Sequence, residues 1–347
     1  MSIPSATSVT QAGNNATYNE QVRKWQGCQD KSVKVDDFVI YDDTKISWSG
    51  DLKDHLKRGI VVEYDQNNIR QSLYRPFTKS CLYFDAHLNN RRYQFPYIFP
   101  TPDTEKENRV ICLSGVGSSK PFHSLMTSQI PCLDILEKTQ CFPFYSYNED
   151  GTNRQENITK WSLDTFRQKY QDEAIAKWDI FYYIYAVLHH PTYREKYADN
   201  LKRELPRIPY APDFQRFANA GKRLAEIHIN YEQQPEYPLK FIENEEVPLN
   251  WRVEKMKLSK DKTQLIYNDF LTLANIPPKV FEYRLGNRSA LDWIIDRYQV
   301  KVDKRSDIEN DPNRLNDEQY IVRLIRQVIT VSLETVNIVN NLPSLKE

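Results

Sequence analysis

The sequence contains few glycines and few cysteines. Its 347 residues include 9 glycines and 5 cysteines. The cysteine number is odd and no two cysteines have the C-x-x-C spacing, which argues against a disulfide framework and against a zinc site. We therefore expect a protein of a reducing compartment, the cytoplasm, that binds no metal.

Long apolar runs and a basic leader are also missing. The first twenty residues, MSIPSATSVTQAGNNATYNE, have neither a basic start nor an apolar core, which is unlike a signal peptide. Their polar composition predicts disorder at the start of the chain. No run of about 18 apolar residues occurs, so no membrane span is expected.

An excess of positive charge is absent as well. Lys and Arg number 47, as do Asp and Glu, so the formal net charge is zero. This argues against a histone-like basic protein, but a basic face balanced by an acidic back can still bind DNA. Apolar residues make up 40%, which permits a sizeable core and, at this length, two or three domains.

Catalytic signatures are not found. The sequence has no phosphate-binding G-x-x-x-x-G-K-[ST] loop, no Asn/Asp-Pro-Pro-Tyr run and no H-E-x-x-H motif. His189 and His190 precede Pro191 at the end of an apolar stretch, without a third metal ligand nearby, so we expect a packing or capping role. We predict no catalytic residue, no metal and no cofactor in this chain.

Aromatic residues are abundant, with 22 tyrosines and 12% aromatics overall. Their order along the chain predicts an α+β protein: a small curved β-sheet or barrel region over residues 71–156, packed on a helical bundle over 157–235, followed by an α+β segment over 236–347. Residues 1–70 mix short strands and helices. Residues 235–250 are expected to be an acidic linker. Helix starts are predicted by capping residues, namely Ser49 or Asp51 for a short helix that ends at Gly59, and Asp213 and Ser289 for two later helices.

The stretch VICLSGVGSSKPF, residues 110–122, is one candidate binding site. A strand leads into a Gly-x-Gly turn that carries Ser118, Ser119 and Lys120. Backbone N–H groups of such a turn, together with a lysine, can hold a phosphate. A simple tight turn and a cofactor-binding glycine loop are the alternatives.

A second candidate is SLYRPFTKSCLYFDAHLNNRRYQFPYIF, residues 72–99, in which basic and aromatic residues alternate. Arginine forks can bind phosphates or guanine edges, and aromatic rings can stack on bases. The alternatives are a β-core with a solvated arginine face and, for the arginine beside Pro76, a buried structural pair. The candidate contacts here are Arg75, Lys79, Arg91, Arg92 and Tyr93.

A third candidate is the charged loop with Lys301, Lys304 and Arg305, which either faces DNA or is a solvated surface loop.

A family resemblance is carried by long stretches rather than by short motifs. These stretches are LYRPFTKSCLYFDAHLNNRRYQFPYIFP, NRVICLSGVGSSKPFHSLMTSQIPCLDILEKTQCFPFYSY, DIFYYIYAVLHHPTYREKYADNLKRELPRIPYAPDFQRFANAGKRLAEIHINYE, GNRSALDWIIDRYQVKVDKRSDIENDPN and the closing helix. Over roughly residues 18–342 the sequence resembles the C-terminal specificity region of type ISP restriction-modification enzymes.

The resemblance implies a function in DNA recognition. Enzymes of this family are long polypeptides with nuclease, helicase-type ATPase, coupler, adenine-N6 methyltransferase and target-recognition regions. Residues 1–70 then correspond to the tail of the methyltransferase region and the remainder to the target-recognition domain. The implied partners are double-stranded DNA and the missing methyltransferase and helicase part. Whether the chain is a separate subunit or a fragment stays open.

Two further interpretations remain. The alternative function is that of a protein related to adenine-specific DNA methyltransferases with activity dependent on S-adenosylmethionine, which binding of that cofactor would distinguish. A purely structural interaction domain would show no DNA sequence preference.

Overall fold

The computed structural model describes residues 5–30, 32–43, 45–304 and 307–345, and for residues 5–14 the backbone alone. In these ranges the helices are α1 Ser5–Gln26, α2 Val35–Phe38, α3 Gly50–Lys57, α4 Phe95–Ile98, α5 Pro102–Glu107, α6 Lys160–Tyr170, α7 Lys177–His189, α8 Pro191–Lys196, α9 Ala198–Leu201, α10 Phe214–Ile229, α11 Ala290–Arg297 and α12 Tyr320–Asn340.

The strands are short and form several small sheets. They are β1 Ile69–Arg75, β2 Thr78–Tyr83, β3 Val110–Leu113, β4 Ser124–Thr127, β5 Ile130–Pro131, β6 Gln140–Pro143, β7 Tyr145–Ser146, β8 Gln155–Glu156, β9 Lys240–Glu243, β10 Lys257–Leu258, β11 Gln264–Ile266, β12 Leu271–Ala274, β13 Arg284–Leu285, β14 Arg288–Ser289, β15 Lys301–Val302 and β16 Glu309–Asn310.

The predicted mixed α+β fold is confirmed. The larger sheets have the strand orders β2-β1-β5, β4-β3-β6 and β10-β11-β12-β9, and three two-stranded ribbons accompany them. Of the sheet and the barrel that the sequence left open, the part of the chain described here contains open sheets and no closed barrel. The register places Cys112 opposite Cys141 on β3 and β6, the two strands that lead into the loops described below.

Two compact units divide the chain. The first comprises Met1–Ser72, Ser80–Pro96 and Lys301–Asn310, and the second comprises Leu73–Lys79, Tyr97–Val300 and Asp311–Glu347. The domain boundaries predicted after residues 70, 156 and 235 stay predictions.

The first unit has a small core that includes helix α1. Tyr18 and Val22, one helical turn apart, are fully buried and belong to the same cluster as Leu52 and Leu56 of α3. The prediction of disorder at the start of the chain is therefore wrong from Ser5 onward. The first twenty residues are mostly polar, so their composition did not indicate the short apolar stripe of α1, which continues beyond residue 20 to Val22.

The second unit contains the larger core, built around the crossing of α7 and α10. Gly221 lies at this crossing, and a Cβ atom placed on it would be 1.8 Å from the carbonyl oxygen of Tyr182. Any side chain there would force the two helices apart, so glycine sets how closely they pack. Both helices lie in the stretch 157–235 for which the sequence predicts helices.

Several tyrosines of the second unit anchor the proline-rich segment before α10. The Tyr183, Tyr193 and Tyr170 hydroxyls donate to the carbonyl oxygens of Pro209, Arg207 and Ala211 at 2.6, 2.9 and 2.7 Å. Proline lacks an N–H and breaks regular pairing, so side-chain donors take over the carbonyls of this segment. These three tyrosines therefore have a structural role.

A buried histidine network connects four elements of the second unit. The Met126 N–H donates to Tyr185 Oη at 2.8 Å, and the Tyr185 hydroxyl donates to Nδ1 of His228 at 2.7 Å. The proton assigned to Nε2 of His228 is donated to Thr335 Oγ1 at 2.9 Å. Each polar atom of this chain has a partner, so β4, α7, α10 and α12 are fixed relative to one another.

Helix starts agree with the sequence. The Ser49, Asp213 and Ser289 side chains accept from the N–H groups of Leu52, Arg216 and Asp292 at 3.1 Å each.

The prediction of an acidic linker over residues 235–250 is wrong in part, because Lys240–Glu243 pairs with β12 as an edge strand. Its acidic residues are exposed, which is typical of a sheet edge.

Candidate nucleic-acid interface

A basic groove of about 560 Å³ lies in the second unit. Five cationic side chains and two carboxylates line it, so its formal charge is positive. Trp293 contributes an aromatic surface between them. The charged lining residues are Arg75, Lys120, Lys138, Arg288, Arg297, Asp134 and Glu137.

One wall of the groove is formed by the β13–β14 hairpin and helix α11. Gly286 takes φ +71° in the two-residue turn of the hairpin, a conformation that glycine adopts without strain. Trp293 and Arg297 are four residues apart on α11 and therefore share a face. The Arg288 guanidinium lies 5.0 Å from the centre of the Trp293 ring and pairs with Asp296 at 2.7 Å. This pairing fixes the arginine and offsets part of its charge.

The opposite wall contains the predicted Gly-x-Gly loop, and its donors bind a carboxylate of the chain itself. The Ser118 and Ser119 hydroxyls donate to Glu137 at 2.6 and 2.9 Å. The N–H groups of Ser119 and Lys120 donate to the same carboxylate at 3.0 and 3.2 Å. These bonds, those from the serine hydroxyls first, lower the pKa of Glu137 to about 2. The loop is therefore an anion-binding loop with an internal anion.

The loop that contains Glu137 is held against the first loop along its length. The Gly115 N–H donates to the Glu137 carbonyl at 3.1 Å, and the Lys138 ammonium donates to the Gly117 carbonyl at 2.9 Å. A Cβ atom on Gly115 would lie 1.8 Å from the Lys138 carbonyl oxygen, so the approach requires glycine.

The structure brings two of the predicted contacts, Arg75 and Lys120, into this one groove. Arg75 is half-buried and donates to the Tyr74 carbonyl at 2.8 Å, while its guanidinium lies 4.2 Å from the centre of the Tyr74 ring. Lys79 is held elsewhere in the second unit, because its ammonium pairs with Glu232 at 2.5 Å and both side chains are largely buried.

The other predicted contacts lie in the first unit. Arg91 and Tyr93 are exposed, with φ +54° and +48°, and Arg92 lies 5.6 Å from the centre of the Phe84 ring. Lys301 and Lys304 are exposed in and beside the β15–β16 ribbon. Arg305 lies outside the described residues.

Among the cationic and aromatic residues of the groove, sequence reasoning missed Lys138, Arg288, Trp293 and Arg297. The arginines and the tryptophan were recognisable in GNRSALDWIIDR, where a Gly-Asn turn precedes a capped helix with an aromatic and a basic residue on one face. Lys138 carried no local signal.

The histidine pair before Pro191 lies in the interior of the second unit. His189 and His190 are buried, as expected for a packing role, and His189 Nδ1 contacts the Tyr185 carbonyl oxygen at 2.8 Å. Within the described ranges no group of His, Cys, Asp and Glu could hold a metal ion. Nor does any helix of those ranges have the length and apolar character needed to cross a membrane.

Comparisons with known proteins identify the family. The family model of the Type ISP C-terminal specificity domain matches residues 9–325. No curated protein matches the chain.

Three solved structures are similar over almost the full length of the chain. A nuclease-deletion mutant of the Type ISP restriction-modification enzyme LlaGI, in complex with a DNA substrate mimic, is 33% identical with a TM-score of 0.83; the match covers 97% of this chain and 30% of that one. The DrdV–DNA complex is 37% identical with a TM-score of 0.83, covering 96% and 33%. The ATP-dependent Type ISP enzyme LlaBIII bound to DNA is 29% identical with a TM-score of 0.85, covering 97% and 22%.

This chain thus spans at most a third of these larger proteins. The family match extends across most of the sequence, and the structural matches cover the same region. The chain belongs to the Type ISP C-terminal specificity domain family.

Proposed function

We propose that the chain is the target-recognition module of a Type ISP restriction-modification enzyme, which binds a short sequence in double-stranded DNA. Nuclease, helicase and methyltransferase chemistry would then be performed by other segments of the enzyme, in the cytoplasm where cellular DNA is accessible. Support comes from the family match and from similar proteins solved in complex with DNA.

The observation that carries the proposal is the convergence of cations on one groove. Arg75, Lys120 and Arg288 come from three distant parts of the sequence and line the same concave surface. Side chains of this kind bind phosphates, which sets the register in which other side chains read base edges. Arginine forks are also suited to guanine, so Arg288 beside Trp293 is a candidate for base contact.

A second contact region is proposed in the first unit, around Arg91, Arg92 and Tyr93. Tyr93 is 64% exposed, so its ring is accessible to a ligand. An exposed aromatic ring next to two arginines in the sequence suits contact with a sugar or base beside bound phosphates.

The salt dependence of duplex binding tests the proposal. Anisotropy of a labelled 30-bp duplex of mixed sequence is measured with the wild-type chain between about 50 and 200 mM salt, where a protein that neutralises several phosphates loses affinity steeply. We expect the Arg91→Ala/Arg92→Ala variant to bind more weakly, with a logarithmic slope reduced by about 1.8, because each lost phosphate contact removes about 0.9. An unchanged slope in the double variant would exclude this region, and a wild-type chain without duplex affinity would exclude the function.

A further inference from the structure

Glu137 is an acidic residue in the wall of a basic groove. Its carboxylate accepts four hydrogen bonds, two from hydroxyls and two from backbone N–H groups, all within Ser118–Lys120. If the groove only attracted DNA by charge, this carboxylate would oppose the attraction, as would Asp134. The four hydrogen bonds indicate that the Glu137 carboxylate has a role in the order of the loop, which outweighs its repulsion of DNA.

The backbone at this position adopts an uncommon conformation. Glu137 and Lys138 have φ +65° and +51°, two successive non-glycine residues in the left-handed region. Such conformations persist only where the surroundings enforce them, and they are concentrated at functional sites. In this conformation the Glu137 carboxylate contacts the Ser118–Lys120 segment, and the Lys138 ammonium donates to the Gly117 carbonyl.

The position of the Lys120 side chain depends on that segment. The backbone N–H of Lys120 donates to the Glu137 carboxylate. The Cδ atom of Lys120 approaches the hairpin turn, where it lies 3.5 Å from the position that a Cβ atom on Gly286 would take. The lysine stem therefore runs from the loop toward the β13–β14 turn on the other wall. The position of the loop backbone therefore decides where this stem begins.

We propose that Glu137 is a positioning residue for DNA binding, which orders the Ser118–Lys120 segment so that Lys120 contacts a backbone phosphate. This inference rests on the proposed function. Ser118 and Ser119 then act through Glu137 and do not touch DNA themselves. The anion-binding loop is filled by a carboxylate of the chain, and the neighbouring ammonium makes the external contact.

The test compares two variants that each remove one negative charge from the same groove. In Asp134→Asn the side-chain oxygen that accepts from the Lys138 N–H is kept, at 3.2 Å in the wild type. Glu137→Gln replaces one acceptor oxygen by an amide that faces donors. Binding of a labelled mixed-sequence 30-bp duplex at about 100 mM salt is measured for both. Simple electrostatics predicts that both variants bind more tightly.

The positioning role predicts opposite changes. Asp134→Asn should bind about twofold more tightly because one repulsive charge is gone. Glu137→Gln should bind up to about tenfold more weakly, the contribution of one phosphate contact at this salt concentration. Ser118→Ala/Ser119→Ala should weaken binding in the same direction although it changes no charge. If Glu137→Gln instead bound as tightly as Asp134→Asn, the positioning role would be overturned.

Hydrogen exchange provides a readout that is independent of DNA. In Glu137→Gln the amides of Ser119 and Lys120 should exchange about tenfold faster, since they lose a charged acceptor, while α7 amides keep wild-type rates. Unchanged protection at both amides would overturn the proposal. A wild-type chain that binds no duplex would overturn the proposed function, whereas a wild-type chain that binds while Glu137→Gln binds more tightly overturns only the role of Glu137. If Glu137→Gln fails to fold, the serine double variant decides the question by the same measurements.

Discussion

Lowering the pH from 7 to 5 is expected to remove most of the stability of the second unit. Burial, and then the positive charge of Arg194, lower the pKa of His123 and of His228 to about 3. The same two causes, in the same order, hold the pKa of His189 well below its usual value. The folded protein therefore keeps all three imidazoles neutral at a pH where the unfolded chain protonates them.

The direction follows from proton binding. Below the unfolded histidine pKa of about 6.5 the unfolded state binds more protons, so the free energy of unfolding falls as the pH falls toward 3. Each histidine contributes about 1.4 kcal/mol per pH unit, which for three amounts to roughly 6 kcal/mol at pH 5. That is comparable with the whole stability of a typical domain.

Urea unfolding followed by circular dichroism between pH 7.5 and 5 measures this dependence. In His123→Asn, whose amide can still donate to the Pro121 carbonyl, the slope below pH 6.5 should be smaller, because one of the buried imidazoles that bind a proton only in the unfolded chain is gone. A free energy of unfolding that stays constant over this range would show that the three imidazoles are not kept neutral by burial.

Neutralising three groove cations is expected to nearly abolish duplex binding. In the Arg75→Ala/Lys120→Ala/Arg288→Ala variant, three side chains that line one surface are lost together. At about 100 mM salt the phosphate contacts of Arg75 and Lys120 each contribute close to tenfold through counterion release, and a base contact of Arg288 contributes about 1–3 kcal/mol, so affinity should fall by about 300-fold or more and the logarithmic salt slope by about 1.8.

The matched control removes three exposed cations of the same unit that do not line the groove, Lys160, Lys196 and Arg216. The net charge of the two variants is equal. If DNA were attracted by charge alone, both would lose affinity alike. Equal affinities in the two variants would contradict the assignment of the groove, whereas loss confined to the groove variant supports it.

Local features of the fold were predictable from the sequence because they depend on neighbouring residues. Ser49, Asp213 and Ser289 begin helices at the expected positions, since a side-chain oxygen only has to reach an N–H three residues later. The start of α1 was missed because its buried face extends past the polar stretch that suggested disorder.

The candidate site was predictable only in part, because it is assembled from distant segments. Arg75 and Lys120 were chosen for their residue types, but Arg288 joins them only through the tertiary fold. Lys79 looked equivalent to Arg75 until the structure placed Glu232, 153 positions away, against its ammonium. Anion binding by Ser118–Lys120 was one of three interpretations that the sequence left open, and nothing in the sequence indicated that the anion is Glu137.

Selection of DNA from a randomised library tests the central claim most directly. The wild-type chain is incubated with duplexes that carry a random central segment, and bound molecules are amplified and sequenced over several rounds at about 150 mM salt, where non-specific binding is weak. A recognition module predicts enrichment of one short sequence, with individual base changes each weakening binding by about 1–3 kcal/mol. Bound duplexes whose composition equals that of the starting library would contradict the claim.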